Sequence, residues 1–408
     1  MNVCMWLGGS LEEWSSSYHL LTELAKAIIH SDHKVYMIQA QRSTGAIPAE
    51  LQKLPEMHTI NVPQKETKKG NFVTRYIREY EHFKKSGEKL KELHKKVGID
   101  VVFLQSNNIA IVPVNICKKL HIPVIYNVQD VFPIDALAVG KLSTHHPAFF
   151  VSRKLQALAY KRADRVVTIS EDLKKTIQGE GRKDVNVIYN WSYRNEPYRI
   201  DDADNHFLLS NKIKRTDGFR VVYAGNVGQM MDAEMIVRVA VRLKEKKDIK
   251  FFIIGEGSGL KRLKEKVELE RLTNILFYPR QLMEYAQDNY CMADVNINPV
   301  PKGVMYTCMP SKTATCLLSE KPTVVSMDLD SDMAKRLSTV DQWSVVAPED
   351  DKAMAGAILK IYEVWKSGKI RKSRDAGEFL GKLGPVENAY KYVEILEEAA
   401  YEPKLNRV

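Results

Sequence analysis

Along most of its length the chain alternates short apolar, often β-branched runs with stretches of helical spacing, and this alternation restricts the fold more than any other feature. Residues 2–6, 34–38, 100–104, 123–127, 165–169 and 186–188 read as strands, and residues 15–29, 108–120 and 152–163 as helices between them. Strands that alternate with helices build a parallel sheet covered on both faces, because each crossover helix packs back on the sheet. The pattern lapses over the polar residues 192–216, read as a connection. A second series opens with a strand at 219–224. Met235, Ile236, Val239, Ala240 and Leu243 then mark one helix face. A strand at 251–254 precedes a helix with Leu260, Leu263 and Val267 on one side, and strands follow at 274–278, 294–298, 323–327 and 344–346. A last helix occupies 386–401. The expectation is an α/β protein of two Rossmann-like domains, 1–200 and 206–385.

Bulk properties narrow the partners. At 408 residues the chain exceeds one ordinary core. No apolar run reaches the ~18 residues of a membrane-spanning helix, and Val3 to Leu7 before Gly8-Gly9 is too short for a signal peptide. Cys4, Cys117, Cys291, Cys308 and Cys316 are scattered and form no CxxC pair, which argues against a disulfide framework and for a reducing cytoplasm. The histidines show no HExxH spacing, so no bound catalytic metal is expected, and His145-His146 reads as part of a polar loop. A net charge of +10 suits nucleic acid, a polyanionic substrate or an anionic membrane. No zinc-finger spacing or RNA-binding aromatic signature supports the first.

Ligands of open α/β sheets bind beyond the carboxyl ends of strands, where turns enter helices. That rule singles out the loops at 7–15, 129–143, 225–232, 255–259, 279–283 and 299–312, expected to face one cleft. Gly8-Gly9 follows the first strand, where bare amides admit an anionic phosphate; alone, such a pair is equally a tight turn. Tyr223-Ala-Gly225-Asn226-Val-Gly228 offers the same chemistry to a diphosphate and matches neither a Walker loop nor GxGxxG, so neither ATP nor NAD is implied. Gly255-Glu-Gly257-Ser-Gly259 comes nearer that fingerprint, but Leu260 and Lys261 stand where its third glycine falls, and a plain strand-to-helix turn is the alternative. Met309-Pro310-Ser311-Lys312 starts a helix: a proline at the start, a serine able to cap it and a lysine make either a phosphate clamp or a capped helix with a solvated lysine. Gln129-Asp130 closes an apolar strand, where a carboxylate orients or deprotonates an acceptor hydroxyl, or simply caps a turn. Residues 65–96 crowd Lys65, Lys68, Lys69, Arg75, Arg78, Lys84, Lys85, Lys89, Lys91, Lys95 and Lys96 around Phe72, Tyr76, Tyr80 and Phe83. They read as a long amphipathic helix on the first sheet, as a surface for anionic lipid headgroups, or as both.

The order of these motifs resembles glycosyltransferase family four. It is most similar to the N-acetylfucosaminyltransferase type of bacterial O-antigen and capsule assembly. The matching stretches are Ile122-Pro-Val-Ile-Tyr-Asn-Val-Gln-Asp-Val-Phe-Pro133, Asp164-Arg-Val-Val-Thr-Ile-Ser-Glu171, Val187-Ile-Tyr-Asn-Trp191, Val222-Tyr-Ala-Gly-Asn-Val-Gly228, Ile253-Ile-Gly-Glu-Gly257, Pro310-Ser-Lys312 and Lys321-Pro-Thr-Val-Val325. The resemblance implies the GT-B fold, with the final helix, about 386–408, packed back on the first domain. It places donor binding on Gly8, Gly9, Gly225, Asn226, Gly228, Gly255, Gly257, Arg280, Thr307, Ser311 and Thr315, and catalysis on Asp130, Gln129 and Lys312. Asn226 stands where many members carry arginine, which leaves Arg280 or Lys312 to supply the positive charge. The family's paired glutamates fall on Thr307 and Thr315, Glu320 replaces a usual glycine, and Gln129 replaces the acceptor-side histidine.

The resemblance also implies retaining transfer of an N-acetylated or deoxy sugar from a nucleotide-sugar donor, a UDP-sugar, to a lipid-linked or oligosaccharide acceptor. No metal or other cofactor enters, and the place of action is the cytoplasmic face of an anionic membrane. The threonines at 307 and 315 motivate an alternative, a catalytically silent subunit of a polysaccharide assembly complex. A UDP-sugar 2-epimerase shares the layout and is the third reading.

Overall fold

The computed structural model describes all residues except 12–16, 42–48, 65–71, 106–107, 139, 141, 193, 195, 229, 369–376 and 406–408. The chain divides into two compact units. Unit 1 comprises Met1–Tyr193, Tyr306–Met309 and Gly384–Val408; unit 2 comprises Arg194–Met305 and Pro310–Leu383.

Unit 1 is built on strands β1 (Asn2–Leu7), β2 (Lys34–Gln41), β3 (Met57–Pro63), β4 (Val101–Gln105), β5 (Val124–Val128), β6 (Arg165–Thr168) and β7 (Asn186–Val187). They pair in the order β3-β2-β1-β4-β5-β6-β7, all parallel. β3 escapes the pattern of apolar runs. It is a half-exposed edge strand, polar at His58, Thr59 and Asn61 and ending on Pro63, a residue confined to positions that donate no ladder bond. The helix at Tyr18–His30 puts Leu20, Leu21, Leu24 and Ile28 into the core with Val3, Met5 and Phe103. The last helix, Pro385–Leu405, joins the same core through Ala389, Tyr392, Val393, Leu396 and Ala400.

The basic segment forms a helix at Phe72–Val97. Lys65, Lys68 and Lys69 lie outside the described residues, and the side chains of Phe72 and Arg75 are likewise not described. Phe83, grouped with Tyr80 from its spacing, is fully buried edge-on to Trp6 at 5.6 Å, whereas Tyr80 is exposed. Trp6 also donates to Ser86 Oγ at 2.9 Å, so this helix is pinned to β1. The helix expected at 152–163 starts earlier, at Pro147. His146, expected in a loop, is its cap: the ring Nδ1 accepts the Ala148 amide at 3.1 Å, and Pro147 supplies the preset first turn.

Unit 2 repeats the plan with β8 (Phe219–Ala224), β9 (Ile249–Ile254), β10 (Ile275–Tyr278), β11 (Val295–Pro299), β12 (Thr323–Ser326) and β13 (Trp343–Val346) in the parallel order β10-β9-β8-β11-β12-β13. The helix at Ala233–Arg242 packs Met235, Ile236, Val239 and Ala240 on Phe219, Val221 and Tyr223. A helix at Asp351–Lys366, not among the expected ones, adds Met354, Ala355, Ile358 and Tyr362 to that core. The stretch read as a polar connection is partly structured. Asn205 caps a short helix at His206–Ser210, burying Phe207 and Leu208, and Asp202 accepts from the buried Arg220 on β8 at 2.6 Å.

The last helix is thus part of the first core rather than an appendage. Leu396→Ala should cost about 3 kcal/mol through lost burial and a residual cavity. In urea unfolding this would appear as a lower midpoint for the first unit's transition with unchanged slope. An unshifted midpoint would show that the helix adds no stability to that core.

Candidate functional site

Both sheets reverse their winding once, between β1 and β4 and between β8 and β11, and such switch points are where open α/β sheets bind ligands. Beside the second of these, on the β9 side of β8, backbone pairing continues beyond the strands. The Gly225 amide donates to Ile254 O at 2.9 Å, Gly255 to Tyr278 O at 3.0 Å, Val227 to Glu256 O at 2.8 Å and Gly259 to Val227 O at 2.9 Å. The loops after β8 and β9 therefore lie directly against each other. A Cβ on Gly255 would stand 1.9 Å from Gly225 O, and one on Gly257 2.3 Å from Val227 O. These two glycines serve that close approach, with φ of +153° and +155°.

Alternate amides of the β8 loop are spent in this way. Those of Asn226 and Gly228 have no acceptor among the described residues, and Asn226 is exposed. The Asn226 side-chain amide lies between two glycines: a Cβ on Gly228 would meet its Nδ2 at 2.7 Å, and one on Gly257 its Oδ1 at 2.5 Å. Lys312, far off in sequence, crosses the bare face of Gly225. A Cβ there would meet Lys312 Cε at 2.4 Å and Nζ at 3.3 Å. Its ammonium sits 4.8 Å from the centroid of the Tyr223 ring and has no ion-pair partner among the described residues. Two uncommitted amides and one uncommitted cation thus lie at a glycine-bared backbone, an arrangement whose chemistry suits an anion such as phosphate.

The structure corrects one part of the clamp. Ser311 stands at the helix start with helical backbone angles and no side-chain cap bond, and its helix, Lys312–Leu318, has only seven residues. The lysine of the motif is held at the glycine loop, across Gly225. Thr315 is half-buried on the same helix, and Arg280 is exposed two residues past β10.

In unit 1, Gly8 and Gly9 differ. The Gly8 amide donates to Gln105 O at 2.9 Å, and a Cβ would stand 3.1 Å from Phe83 Cζ. Gly9 has no heavy atom within 4 Å of a Cβ position. Beyond β5 a polar chain forms: Tyr392 Oη donates to Asn127 Oδ1 at 2.9 Å, Gln129 Nε2 to the same oxygen at 3.2 Å, and Asn190 Nδ2 to Gln129 Oε1 at 2.7 Å. Asp130 forms an isolated antiparallel bridge with Cys308, and the Val131 amide donates to Thr307 O at 2.8 Å. Thr307 is 1% exposed and belongs to this unit, whereas Thr315 belongs to the other. His19 and His82 are further histidines of this unit, bonded to the carbonyls of Trp191 and Leu7; burial lowers the pKa of both, so they stand as neutral rings. Sequence reasoning missed His19, Asn190 and Tyr392, whose partners lie far away along the chain. Among the described residues, no three His, Cys, Asp or Glu side chains cluster as metal ligands, and no helix is long and apolar enough to cross a membrane.

The contrast between glycines is testable. Gly255→Ala should destabilise unit 2 by about 2 kcal/mol or more, from backbone clash and positive φ. Gly9→Ala should change stability by less than about 0.5 kcal/mol. Thermal and urea unfolding of both variants check this, and equal effects would refute the packing assignment.

A family model described as Glycosyltransferase Family 4 matches residues 19–191, and one described as Glycosyl transferases group 1 matches residues 218–364. A Pseudomonas aeruginosa protein carrying the name glycosyltransferase WbjE is 24% identical over 242 residues, 58% of this chain and 59% of that one. An Escherichia coli (strain K12) protein carrying the name colanic acid biosynthesis glycosyl transferase WcaI is 27% identical over 211 residues, 50% of this chain and 51% of that one. The chain thus spans little more than half the length of the curated relatives it matches. Among solved structures, Anabaena Alr3699/HepE in complex with UDP shares the fold, with a TM-score of 0.70 at 13% identity over 98% of this chain and 100% of that one. With one family model on each sheet and the two Rossmann-like domains of the GT-B fold, the chain belongs to the glycosyltransferases of the family 4 and group 1 type.

Proposed function

We propose that the protein is a retaining glycosyltransferase. It moves an N-acetylated or deoxy sugar from a nucleoside-diphosphate donor to a lipid-linked or oligosaccharide acceptor during cell-surface polysaccharide assembly. The observation that carries this reading is Lys312 lying across Gly225 with no carboxylate partner among the described residues. The names of WbjE and WcaI supply the class of reaction, and colanic acid in the second name a polysaccharide product. HepE is in complex with UDP, and we take UDP as the donor nucleotide.

In this scheme unit 2 binds the donor. Lys312 and the amides of Asn226 and Gly228 neutralise the charge that grows on the diphosphate as the glycosidic bond breaks. The leaving phosphate oxygen accepts the proton of the attacking hydroxyl on the same face, which retains the anomeric configuration. Asp130 and Gln129 orient the acceptor, Gln129 through its bonds to Asn127 and Asn190. Arg280 is the second cation, and no metal is written into the scheme. Lys312→Ala should weaken UDP binding by about 2 kcal/mol, some 30-fold, since it leaves phosphate charge unpaired. Calorimetry with UDP and GDP checks this; unchanged affinity would remove Lys312 from the donor site.

A lipid-linked acceptor needs an enzyme held at the membrane, and unit 1 carries a surface suited to that. On the helix at Phe72–Val97, Ile77 and Tyr80 are exposed together with Lys84, Lys85, Lys89 and Lys91. On the helix at Pro147–Arg162, Phe150, Val151 and Leu158 are exposed beside Lys154 and Lys161. A lysine near an anionic surface contributes about 1 kcal/mol, and exposed aromatic and aliphatic side chains enter the headgroup layer. Sedimentation with vesicles should show binding that rises with anionic lipid, falls at high salt, and drops when Lys84, Lys85, Lys89 and Lys91 are changed to glutamine. Equal binding of both proteins, or indifference to lipid charge, would leave these helices as solvated faces.

A further inference from the structure

The β8 loop and Lys312 are two separate pieces of the anion site, and one side chain touches both. Tyr223 is wholly buried, the last residue but one of β8. Its hydroxyl donates to the Asn226 carbonyl at 2.7 Å, fixing the Asn226–Val227 peptide, which lies between the two uncommitted amides. Its ring face lies 4.8 Å from Lys312 Nζ. The neighbouring carbonyl, of Ala224, accepts from Tyr290 Oη at 3.0 Å. The Gly225 and Val227 amides are bonded to Ile254 and Glu256. Uncommitted among the described residues are the amides of Asn226 and Gly228 and the ammonium of Lys312.

We infer that Tyr223 is a positioning residue for the diphosphate, its hydroxyl setting the loop peptide and its ring holding the Lys312 ammonium over Gly225. This rests on the donor-site reading given above. A lysine on a four-carbon stem is mobile, and a cation loses much of its value when it must be ordered at the moment of binding. The ring face attracts the ammonium without neutralising it, so the charge is localised yet still available to phosphate. A carboxylate in the same place would also hold the lysine but would cancel its charge. The glycine at 225 is what lets the stem pass close enough, since a Cβ would occupy the path of Cε. Ring, glycine and lysine are then one device.

The test is a double-mutant cycle read by calorimetry with UDP, and with uridine as the control lacking phosphate. Tyr223→Phe keeps the ring and should weaken UDP binding about threefold, the loss of one hydrogen bond's ordering. Tyr223→Leu loses both contacts and should weaken it about tenfold. Uridine affinity should stay within about twofold of wild type in both, which general damage to the fold would not allow. Combined with Lys312→Ala, Tyr223→Leu should add no more than about threefold, because the ring then has no ammonium to hold. Losses that multiply across the pair, or equal losses for UDP and uridine, would overturn the positioning role while leaving Lys312 as a donor-site cation. Wild-type affinity in Lys312→Ala alone would overturn the donor reading and this inference with it. Should Tyr223→Leu not fold, Tyr223→Phe alone decides the loop arm: it must lose UDP affinity while keeping uridine affinity, and unchanged UDP affinity would overturn that arm.

Discussion

Backbone pairing that runs past the ends of β8 and β9 is the constraint on which the second unit's site depends. In most parallel sheets the ladder stops where strands turn into helices. Here the amides of Gly225, Val227, Gly255 and Gly259 keep bonding for several residues more. Two loops so closely apposed leave no room for side chains at Gly255 and Gly257, and backbone hydrogen bonds tie the β8 loop to its neighbour. The pairing also divides the loop amides into those bonded to the neighbouring loop and those of Asn226 and Gly228, which have no acceptor among the described residues.

The first unit solves a related problem with side chains. Near the end of its β5, Asn127 receives hydrogen bonds from Gln129 and from Tyr392 of the final helix, while Gln129 receives one from Asn190. Asn388, one turn before Tyr392, donates to Tyr189 O at 3.1 Å. The final helix therefore does more than cover a hydrophobic face with Leu396 and Val393. It fixes the residues that precede Asp130, and the burial of Asn127 and Tyr392 makes their bond costly to remove. The segment Tyr306–Met309 completes that edge, with Thr307 O and the Cys308 backbone taking up the strand-like end at Asp130 and Val131.

Residue choices at the two sites follow from these frames. Asn226 occupies a gap bounded by Gly228 and Gly257, a space matched to a short amide. The positive charge comes instead from Lys312, brought in by the start of another helix. Thr307, at a position where relatives carry an acid by resemblance, is buried at 1% exposure with its carbonyl already committed, a setting in which an ionised carboxylate would bear a large desolvation cost.

The alternation of strands and helices was legible in the sequence because periodicity and turn residues are local. β8 and β9 could be placed from runs of apolar residues and β11 from Val295 and Ile297 alternating with asparagines, and the glycines at 225, 228, 255 and 257 stood out in the loops that follow β8 and β9. β3 was not legible, since a half-exposed edge strand has no apolar run to find. Lys312 could be flagged, but its partner could not: that it lies across Gly225 depends on the order β9-β8-β11-β12, which no local pattern encodes. The same holds for Tyr392 at Asn127 and for the assignment of Thr307 and Thr315 to different units. The sequence by itself determined most of the strands and helices, though not β3 or the helix at Asp351–Lys366, and that the chain forms parallel α/β sheets. Only the tertiary structure decided which glycine serves packing and which an opening, and that Lys312 is the cation held at the glycine loop, because those depend on atoms that meet from distant parts of the chain.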